Sequence, residues 1–148
     1  MKVSVIIITF LLERLNCLLE LLEGLEKQTY RDFEVITVVD ENSKYYNVIR
    51  EKISCNQKVK LFFNKTNKGL AYSRNLGVRY AKGDIVAFVD DDAIPYPNWV
   101  EEIVNTYKED ENIGGVAGEV IPSWENNSMM WFPKELWWII SCSYTPIS

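Results

Sequence analysis

Three consecutive carboxylates, Asp90, Asp91 and Asp92, are the residues of this chain best placed to do chemistry. They follow the apolar run of residues 84–89, which is short, β-branched and aromatic and therefore predicts a buried strand. Adjacent carboxylates at a strand end repel one another unless a cation joins them. Closely spaced oxygen ligands suit a hard divalent ion such as Mg²⁺ or Mn²⁺. A solvated acidic turn is the alternative interpretation.

The composition removes several classes of site. The chain has no histidine, so imidazole ligands and Ser-His or Cys-His dyads are excluded, and any general base is Asp or Glu before Lys, Tyr or Cys. Cys17, Cys55 and Cys142 follow no metal-binding spacing and predict reduced structural thiols. The net charge of -5 argues against a nucleic-acid partner.

The length and composition predict one globular domain over residues 1–148, with 47% hydrophobic and 25% charged residues. No signal peptide is recognisable, and no apolar stretch is long enough to cross a bilayer. We therefore expect a cytoplasmic protein.

Predicted strands alternate with predicted helices along the chain. Strands are expected at 3–8, 33–39, 59–63 and 84–89, with a further strand-like segment at 113–121. Helices are expected at about 15–26, 44–54, 69–82 and 97–108. This alternation predicts right-handed βαβ units, an α/β fold and a mostly parallel sheet flanked by helices.

Two of the predicted helices have a recognisable apolar face. In the helix at 15–26 the face is formed by leucines at three- and four-residue steps: Leu15, Leu18, Leu19, Leu22 and Leu25. In the helix at 69–82 the predicted face contains Ala71, Val78 and Ala81, with Leu70, Gly77 and Tyr80 beside them, and Leu76 falls outside it.

Polar residues follow three of the predicted strands at their carboxyl ends. Thr9 and Phe10 follow the first, residues 40–43 the second, and the aspartate triplet the fourth. Parallel sheets bind ligands beyond these ends, where the strand order reverses. The sequence therefore predicts one site, provided that the strand ends at Asp40 and Asp90 lie on the same rim.

Five segments, in order along the chain, resemble the family 2 glycosyltransferases, which have the GT-A (nucleotide-diphospho-sugar transferase, Rossmann-like) fold. The segments are residues 3–10, residues 28–36 running into 39–43, residues 67–77 with an N-x-G … A-x-x-R-N-x-G pattern, residues 83–92 with a D-x-D motif, and residues 97–99. The resemblance implies transfer of a sugar from a UDP- or GDP-sugar, with inversion and with a divalent ion, Mg²⁺ or Mn²⁺, on Asp90 and Asp92.

The chain departs from the family pattern in two places. Leu11 and Leu12 stand where the family usually has a polar, often Asn-Arg, pair. The sequence also stops before the acceptor-side strands and the acidic motif that supplies the catalytic base. We therefore expect this chain to be the donor-binding portion, truncated at the acceptor side, with the base beyond Ser148.

The resemblance also implies roles for individual residues. Asp40 or Glu41 would accept a hydrogen bond from the nucleotide base, and Asp90 would also accept from the ribose. Asp91 is expected to point away from the metal, because alternate strand residues face opposite sides. The implied nucleotide-sugar-binding set is Ile8, Thr9, Phe10, Asp40, Glu41, Gly69, Arg74, Asp90 and Asp91.

Three members of that set have an ordinary structural alternative. Phe10 either packs on the base or belongs to the core. Arg74 either contacts the diphosphate or lies on a helix surface. Gly69 either lets the backbone approach the donor or simply begins a helix.

An aromatic segment near the end of the chain contains Trp131, Phe132, Trp137 and Trp138. It could serve as an acceptor platform or as a membrane-surface contact, which would suit a lipid-linked acceptor; a glycan is the other acceptor class. We favour the alternative that a longer chain covers these residues as core. In that case this polypeptide would self-associate through them.

Two other functions fit parts of the pattern. A phosphatase of the haloacid-dehalogenase type also has a D-x-D motif after a strand, but Ile94 stands where that motif has Thr or Val. A sugar-nucleotide-binding module, inactive alone because it lacks the base, is the non-enzymatic alternative.

Overall fold

The computed structural model describes residues 1–53, 58–66, 68–110, 112–124 and 126–143. Cys55, Asn67 and the expected helix end at Ser54 lie outside these ranges. The strands are β1 (Val3–Thr9), β2 (Phe33–Asp40), β3 (Val59–Asn64) and β4 (Ile85–Asp90); the α-helices are α1 (Leu15–Glu26), α2 (Ser43–Lys52), α3 (Leu70–Tyr80) and α4 (Trp99–Glu109). Short 3₁₀ helices span Leu12–Arg14, Asn127–Met129 and Lys134–Ile140.

The four strands form one parallel sheet in the order β3-β2-β1-β4. Strand β1 pairs with β2 on one side and with β4 on the other, so that Ile8 lies opposite both Val38 and Asp90. The chain first builds the sheet outward from β1 to β3 and then crosses back to place β4 beside β1. The strand order therefore reverses between β1 and β4, which is where ligands bind in such sheets.

Helices cover both faces of the sheet, as the sequence predicts. Helices α1, α2 and α4 pack on one face, where Leu21, Ile49 and Val104 are fully buried against the sheet. Helix α3 packs on the other face, over Ile6 and Ile36. Leu18, Leu22 and Leu25 form the buried face of α1 as predicted, but Leu21 joins them and Leu19 is only half-buried.

The predicted face of α3 is wrong at two of its three positions. Ala71 and Val78 are exposed, whereas Ala81 packs against the apolar cluster of Ile6, and the buried residues of the helix are Ser73 and Gly77. The helix lies so close to β1 that a Cβ on Gly77 would stand 2.6 Å from Cγ2 of Ile6. Small residues make this contact, and a search for apolar side chains at helical spacing does not select them.

Strand β4 is less buried than its sequence predicts. It is an edge strand. Helix α3 covers one face of the sheet over β1 and β2, and on that same face Phe88 of β4 is exposed. Its other face is covered, and Ile85 and Ala87 are buried there. The prediction of a fully buried strand therefore holds for one face only.

The chain divides into two compact units, Met1–Glu111 and a second one from Asn112 onward. In the described part of the second unit the strand expected at 113–121 does not form. Gly114, Gly115 and Gly118 offer no side chains to pack and lose much backbone entropy in a strand. The single domain over 1–148 stays a prediction. Nowhere in the described ranges is there a helix with the length and apolar character of a bilayer span.

Candidate functional site at the carboxyl rim of the sheet

The strand ends that carry Asp40 and Asp90 lie on one rim of the sheet, on either side of β1. Thr9, the last residue of β1, pairs with Val39, and Ile8 pairs with Asp90. Neighbouring strands are about 4.8 Å apart, so the backbones of the two acids are separated by about two strand spacings. The structure thus meets the condition on which the predicted site depends.

The three consecutive aspartates do not share one environment. Asp91 is only 3% exposed, whereas the side chains of Asp90 and Asp92 are 75% and 49% exposed. Asp91 leaves the strand on the side of α1 and α2, opposite to Asp90, as alternation along a strand requires. The outer two acids are therefore available to a ligand and the middle one is part of the interior.

Two arginines neutralise much of this negative charge. Nη1 of Arg14 lies 2.8 Å from Oδ1 of Asp91 and 3.1 Å from Oδ2 of Asp92. Nη2 of Arg74 lies 3.4 Å from Oδ1 of Asp90, and its guanidinium also stands 5.6 Å from the centre of the Phe88 ring. The hydrogen bond with Asp91, followed by the charge of Asp92, raises the pKa of Arg14 above its usual value.

A buried chain of hydroxyl groups holds Asp91 from the other side. Oγ1 of Thr9 lies 2.6 Å from Oδ2 of Asp91 and 3.0 Å from the hydroxyl oxygen of Tyr45, and both Thr9 and Tyr45 are fully buried. A carboxylate only accepts hydrogen bonds, so the single proton of Thr9 points to Asp91 and Tyr45 donates to Thr9. Burial raises the pKa of Tyr45, which keeps this phenol protonated as the arrangement requires.

Asp40 is fixed by a second polar cluster on the α3 side of the sheet. Nδ2 of Asn64 donates to Oδ1 of Asp40 at 2.8 Å and to Oγ of Ser73 at 3.2 Å. All three residues are buried. Glu41 follows in the left-handed region with φ 52°, and its amide donates to the Asn64 carbonyl at 2.9 Å. Asp40 is thus held in one orientation, while Glu41 is exposed on the surface.

The remaining predicted site residues lie at or near the same rim. Phe10 is 52% exposed, which excludes the core alternative for this ring. Gly69 has φ +85°, a conformation that suits glycine, directly before α3. Ile8 is half-buried against the apolar cluster under α3. The structure brings Ile8, Thr9, Phe10, Asp40 and Asp90 to adjacent strand ends.

One motif residue has a structural role that its sequence does not reveal. Gln28 is fully buried and accepts a hydrogen bond from the amide of Val100 at 2.9 Å. It also donates to the Tyr96 carbonyl at 2.8 Å. The side chain therefore caps the start of α4, which no cap from Asn98 supports, and fixes the chain that leaves the aspartate triplet.

Sequence reasoning missed four residues of these clusters: Arg14, Tyr45, Asn64 and Ser73. Arg14 offered a signal, since it is the only Lys or Arg between Lys2 and Lys27 and the aspartates needed a counter-charge. The other three are uncharged polar residues far from their partners in the sequence, and nothing local distinguishes them.

The exposed aspartates suit a divalent ion in number and type. Magnesium in proteins is usually held by one or two carboxylates together with substrate phosphates and water. Asp90 and Asp92 provide two exposed carboxylates at the switch point of the sheet. Within the described ranges no group of three or more His, Cys, Asp or Glu residues converges on a point. The rim therefore fits an ion that a phosphate ligand helps to hold.

Comparison with known protein families identifies the family to which this chain belongs. The profile of glycosyl transferase family 2 matches residues 4–145, almost the whole chain. The chain belongs to glycosyl transferase family 2. The four-stranded parallel sheet flanked by helices is the corresponding part of the GT-A fold.

Two relatives support the family assignment. The chain is 36% identical over 142 residues to the glucosyl-dolichyl phosphate glucuronosyltransferase of Haloferax volcanii, covering 96% of this chain and 45% of that protein. Crystalline S. aureus TarS 1-349 with UDP-GlcNAc superposes with a TM-score of 0.66 at 29% identity, covering 83% of this chain and 37% of that one. This family 2 chain therefore spans less than half the length of these relatives.

A second solved structure agrees in fold. The mannosyltransferase PcManGT from Pyrobaculum calidifontis, in complex with GDP-Man and Mn²⁺, has a TM-score of 0.58 and 24% identity, covering 65% of this chain and 29% of that one.

The aromatic segment of the second unit is largely exposed. Trp131 and Trp138 are 71% and 55% exposed, and Trp131 makes an edge-to-face contact with Phe132. Lys134 lies 5.6 Å from the centre of the Trp137 ring. The described segment therefore has a largely apolar exposed surface.

Proposed function

We propose that this chain is the donor-binding portion of a metal-dependent, inverting glycosyltransferase that uses a UDP- or GDP-sugar. The observation that carries the proposal is the convergence of Asp40 and Asp90 on one rim, beside the strand-order reversal, with Asp90 and Asp92 exposed. A nucleotide diphosphate fits such a rim. Its base needs a hydrogen-bond acceptor, which Asp40 can provide, and its phosphates need a cation, which Asp90 and Asp92 can hold.

Each end of the rim has a defined task in this proposal. Asp40, anchored by Asn64, accepts a hydrogen bond from the base, since its position is fixed whereas Glu41 lies on the surface. Asp90 and Asp92 hold Mg²⁺ or Mn²⁺, and Asp90 also accepts from the ribose. A bound divalent ion would stabilise the negative charge that develops on the diphosphate leaving group. Arg74 contacts the diphosphate from the start of α3.

The other residues of the predicted set act through the backbone, a ring face or positioning. Thr9 and Asp91 are buried and bonded to each other, so they shape the rim from within. Phe10 offers an exposed ring to the base. Ile8 and Gly69 contribute main-chain atoms where the donor comes closest.

The acceptor side of the proposal is less specific. A lipid-linked acceptor is supported by the exposed Trp131 and Trp138 and by the dolichyl phosphate named for the Haloferax relative; a glycan is the other class. We place the protein in the cytoplasm at the membrane surface. Self-association through the exposed aromatic segment is part of the same proposal.

A sugar-nucleotide-binding module without turnover is the second candidate for this polypeptide. It is favoured by the coverage of the relatives, since less than half of each matched protein is represented here.

Calorimetric titration with UDP and with GDP, each with Mn²⁺ and with EDTA, tests the proposal. We expect one nucleotide to bind only with the metal. A parallel transfer and hydrolysis assay with UDP- and GDP-sugars separates the two candidates, because binding without turnover supports the module. Failure of both nucleotides to bind, or binding that EDTA does not affect, would contradict the metal-dependent donor site.

A further inference from the structure

We propose that Arg14 makes metal binding depend on the nucleotide, because it opposes a divalent ion at Asp90 and Asp92 when the ion comes alone and supports it when a diphosphate comes too. The inference rests on the proposed donor site and adds a loading order to it. The residue is absent from the set that the family resemblance implies.

Arg14 is held at the rim and is not a freely moving surface side chain. Its anchor is Asp91, which is 3% exposed and 77 positions away in the sequence. Asp91 is itself fixed by the Thr9 hydroxyl at 2.6 Å, and Thr9 by Tyr45. Asp91, Thr9 and Tyr45 are all buried and hydrogen-bonded in series. We therefore expect the Arg14 guanidinium to stay in place when Asp92 exchanges its contact with Arg14 for a contact with a metal ion.

The same nitrogen atom of Arg14 also forms an ion pair with Asp92, one of the two exposed aspartates. Nη1 of Arg14 lies 3.1 Å from Oδ2 of Asp92. A permanent positive charge on a carboxylate weakens the attraction of that carboxylate for a second cation. At the separations found around one carboxylate, with solvent access, we expect Arg14 to weaken the binding of a lone divalent ion by about tenfold.

A diphosphate reverses the sign of this effect. The aspartate triplet and its two arginines, Arg14 and Arg74, together have a formal charge of about −1, which becomes positive when a divalent ion is added. This local positive charge attracts the anionic diphosphate. In the part of the chain that the structure describes, Arg14 makes hydrogen bonds only through Nη1, so its other N–H groups can donate to a phosphate.

The sequence around Arg14 supports a dedicated role. Leu11 and Leu12 replace the polar pair that often follows this strand in the family, and both are exposed. Arg14, two residues further on, is the first cation after Lys2. The 3₁₀ turn Leu12–Arg14 is what brings its side chain back to the rim.

The test measures the metal and the nucleotide separately on the whole 148-residue chain. Binding of Mn²⁺ alone is followed by the electron paramagnetic resonance signal of the free ion, and binding of UDP or GDP at saturating Mn²⁺ is followed by calorimetry. We expect Arg14→Gln to bind Mn²⁺ alone about tenfold more tightly and the nucleotide about tenfold more weakly. Arg14→Lys keeps the charge and should bind Mn²⁺ alone as weakly as the natural chain.

Arg79→Gln is the matched control, since Arg79 is exposed on α3 and neither affinity should change. Arg14→Gln leaves Asp91 with one cation fewer, so a double variant that also carries Asp91→Asn separates the charge effect from loss of folding. It should bind Mn²⁺ alone more tightly than the natural chain but less tightly than Arg14→Gln, because the negative charge of Asp91 is lost as well, and it should show a normal cooperative unfolding transition.

The inference would be overturned if Arg14→Gln and the double variant with Asp91→Asn both bound Mn²⁺ alone no more tightly than the natural chain. So would an Asp92→Ala chain that still binds Mn²⁺ normally, because the ion would then bind elsewhere. Failure of the donor site itself looks different, since the natural chain would then bind neither nucleotide in a metal-dependent manner while the Mn²⁺ comparison remained readable.

Discussion

The sheet has acidic side chains at its amino end and at its carboxyl end, and the two groups differ in burial and in hydrogen bonding. At the amino end Glu34 is buried and accepts hydrogen bonds from the Ser4 hydroxyl at 2.9 Å, from the Lys82 amide at 2.7 Å and from Lys60. Burial alone would raise the pKa of Glu34, but the bonds from Lys60, Lys82 and Ser4 outweigh it and lower the pKa to about 2.

At the carboxyl end the outer two acids of the aspartate triplet are exposed and only partly paired. Among the described residues the Asp90 carboxylate pairs with Arg74 at 3.4 Å, and Asp92 shares Nη1 of Arg14 with Asp91. The difference separates a carboxylate that holds the fold together from one that remains available to a ligand. Glu34 fastens the connection between α3 and β4 to the sheet, whereas the outer aspartates have coordination capacity left over.

The largest expected effect follows from removing the structural carboxylate. Glu34→Ala should lower the free energy of unfolding by about 3–5 kcal/mol, since it leaves Lys60, Ser4 and the Lys82 amide without their shared acceptor. Urea denaturation measures the loss. Glu20→Ala, an exposed acid on α1, is the control and should stay within about 0.5 kcal/mol. A Glu34→Ala chain as stable as this control would remove the contrast between the two ends.

The same group should make stability depend on pH in a defined window. The folded pKa of Glu34, about 2, is below the model-compound value of 4.5, so its contribution is complete above about pH 4.5 and is lost as the pH falls toward 2. The shift corresponds to about 3 kcal/mol. Subtracting the unfolding free energies of Glu34→Gln from those of the natural chain across pH 2–6 isolates this term. A difference that is flat over that range contradicts the assignment.

Removing a rim carboxylate should have the reverse pattern. Asp92→Ala should weaken Mn²⁺-dependent nucleotide binding by about 100-fold while the unfolding free energy changes by less than about 1 kcal/mol, since a half-exposed acid next to two others contributes little to stability. Calorimetry and urea denaturation of the same preparation give both numbers. Retained nucleotide affinity would take Asp92 out of the site, and a large loss of stability would place it with Glu34.

The smallest expected effect concerns Asp40, which shares features of both ends. Asn64→Ala removes the amide that orients the buried Asp40 carboxylate. We expect a loss of about 1–2 kcal/mol in stability and a nucleotide affinity lowered less than tenfold, because the two hydrogen bonds that the Asn64 amide donates are lost but the Asp40 acceptor remains. Asn47→Ala on the exposed side of α2 is the control. An affinity loss as large as that of Asp92→Ala would mean that Asn64 itself contacts the nucleotide.

The sequence predicted those parts of the molecule that local pattern controls. Four strands and four helices were placed correctly, because continuous apolar runs and leucines at helical spacing have few alternatives. The shared rim of Asp40 and Asp90 was predictable because strands that alternate with helices form a parallel sheet, in which all carboxyl ends lie on one side. The α3 face and the strand at 113–121 were wrong, since the first depends on the close approach at Gly77 and the second on partners that a strand must find elsewhere.

The sequence predicted where the rim acids lie but not the contacts that hold them. Asp40 and Asp90 end their strands and Asp92 follows two residues after β4, so their position is a local property. The contacts of Arg14 with Asp91, and of Asn64 with Ser73, are made only once separate elements have packed together. No periodicity or motif reports such a contact.

The strand order has a consequence for how the molecule is made. Strand β4 is the last of the four in the chain, yet it completes the half of the rim that carries Asp90. A polypeptide still emerging from the ribosome can pair β1, β2 and β3 before β4 is available. During that interval the free edge of β1, with Val5 and Ile7, has no neighbour. We expect nascent chains stopped before residue 85 to expose this edge and to be strong clients for chaperones.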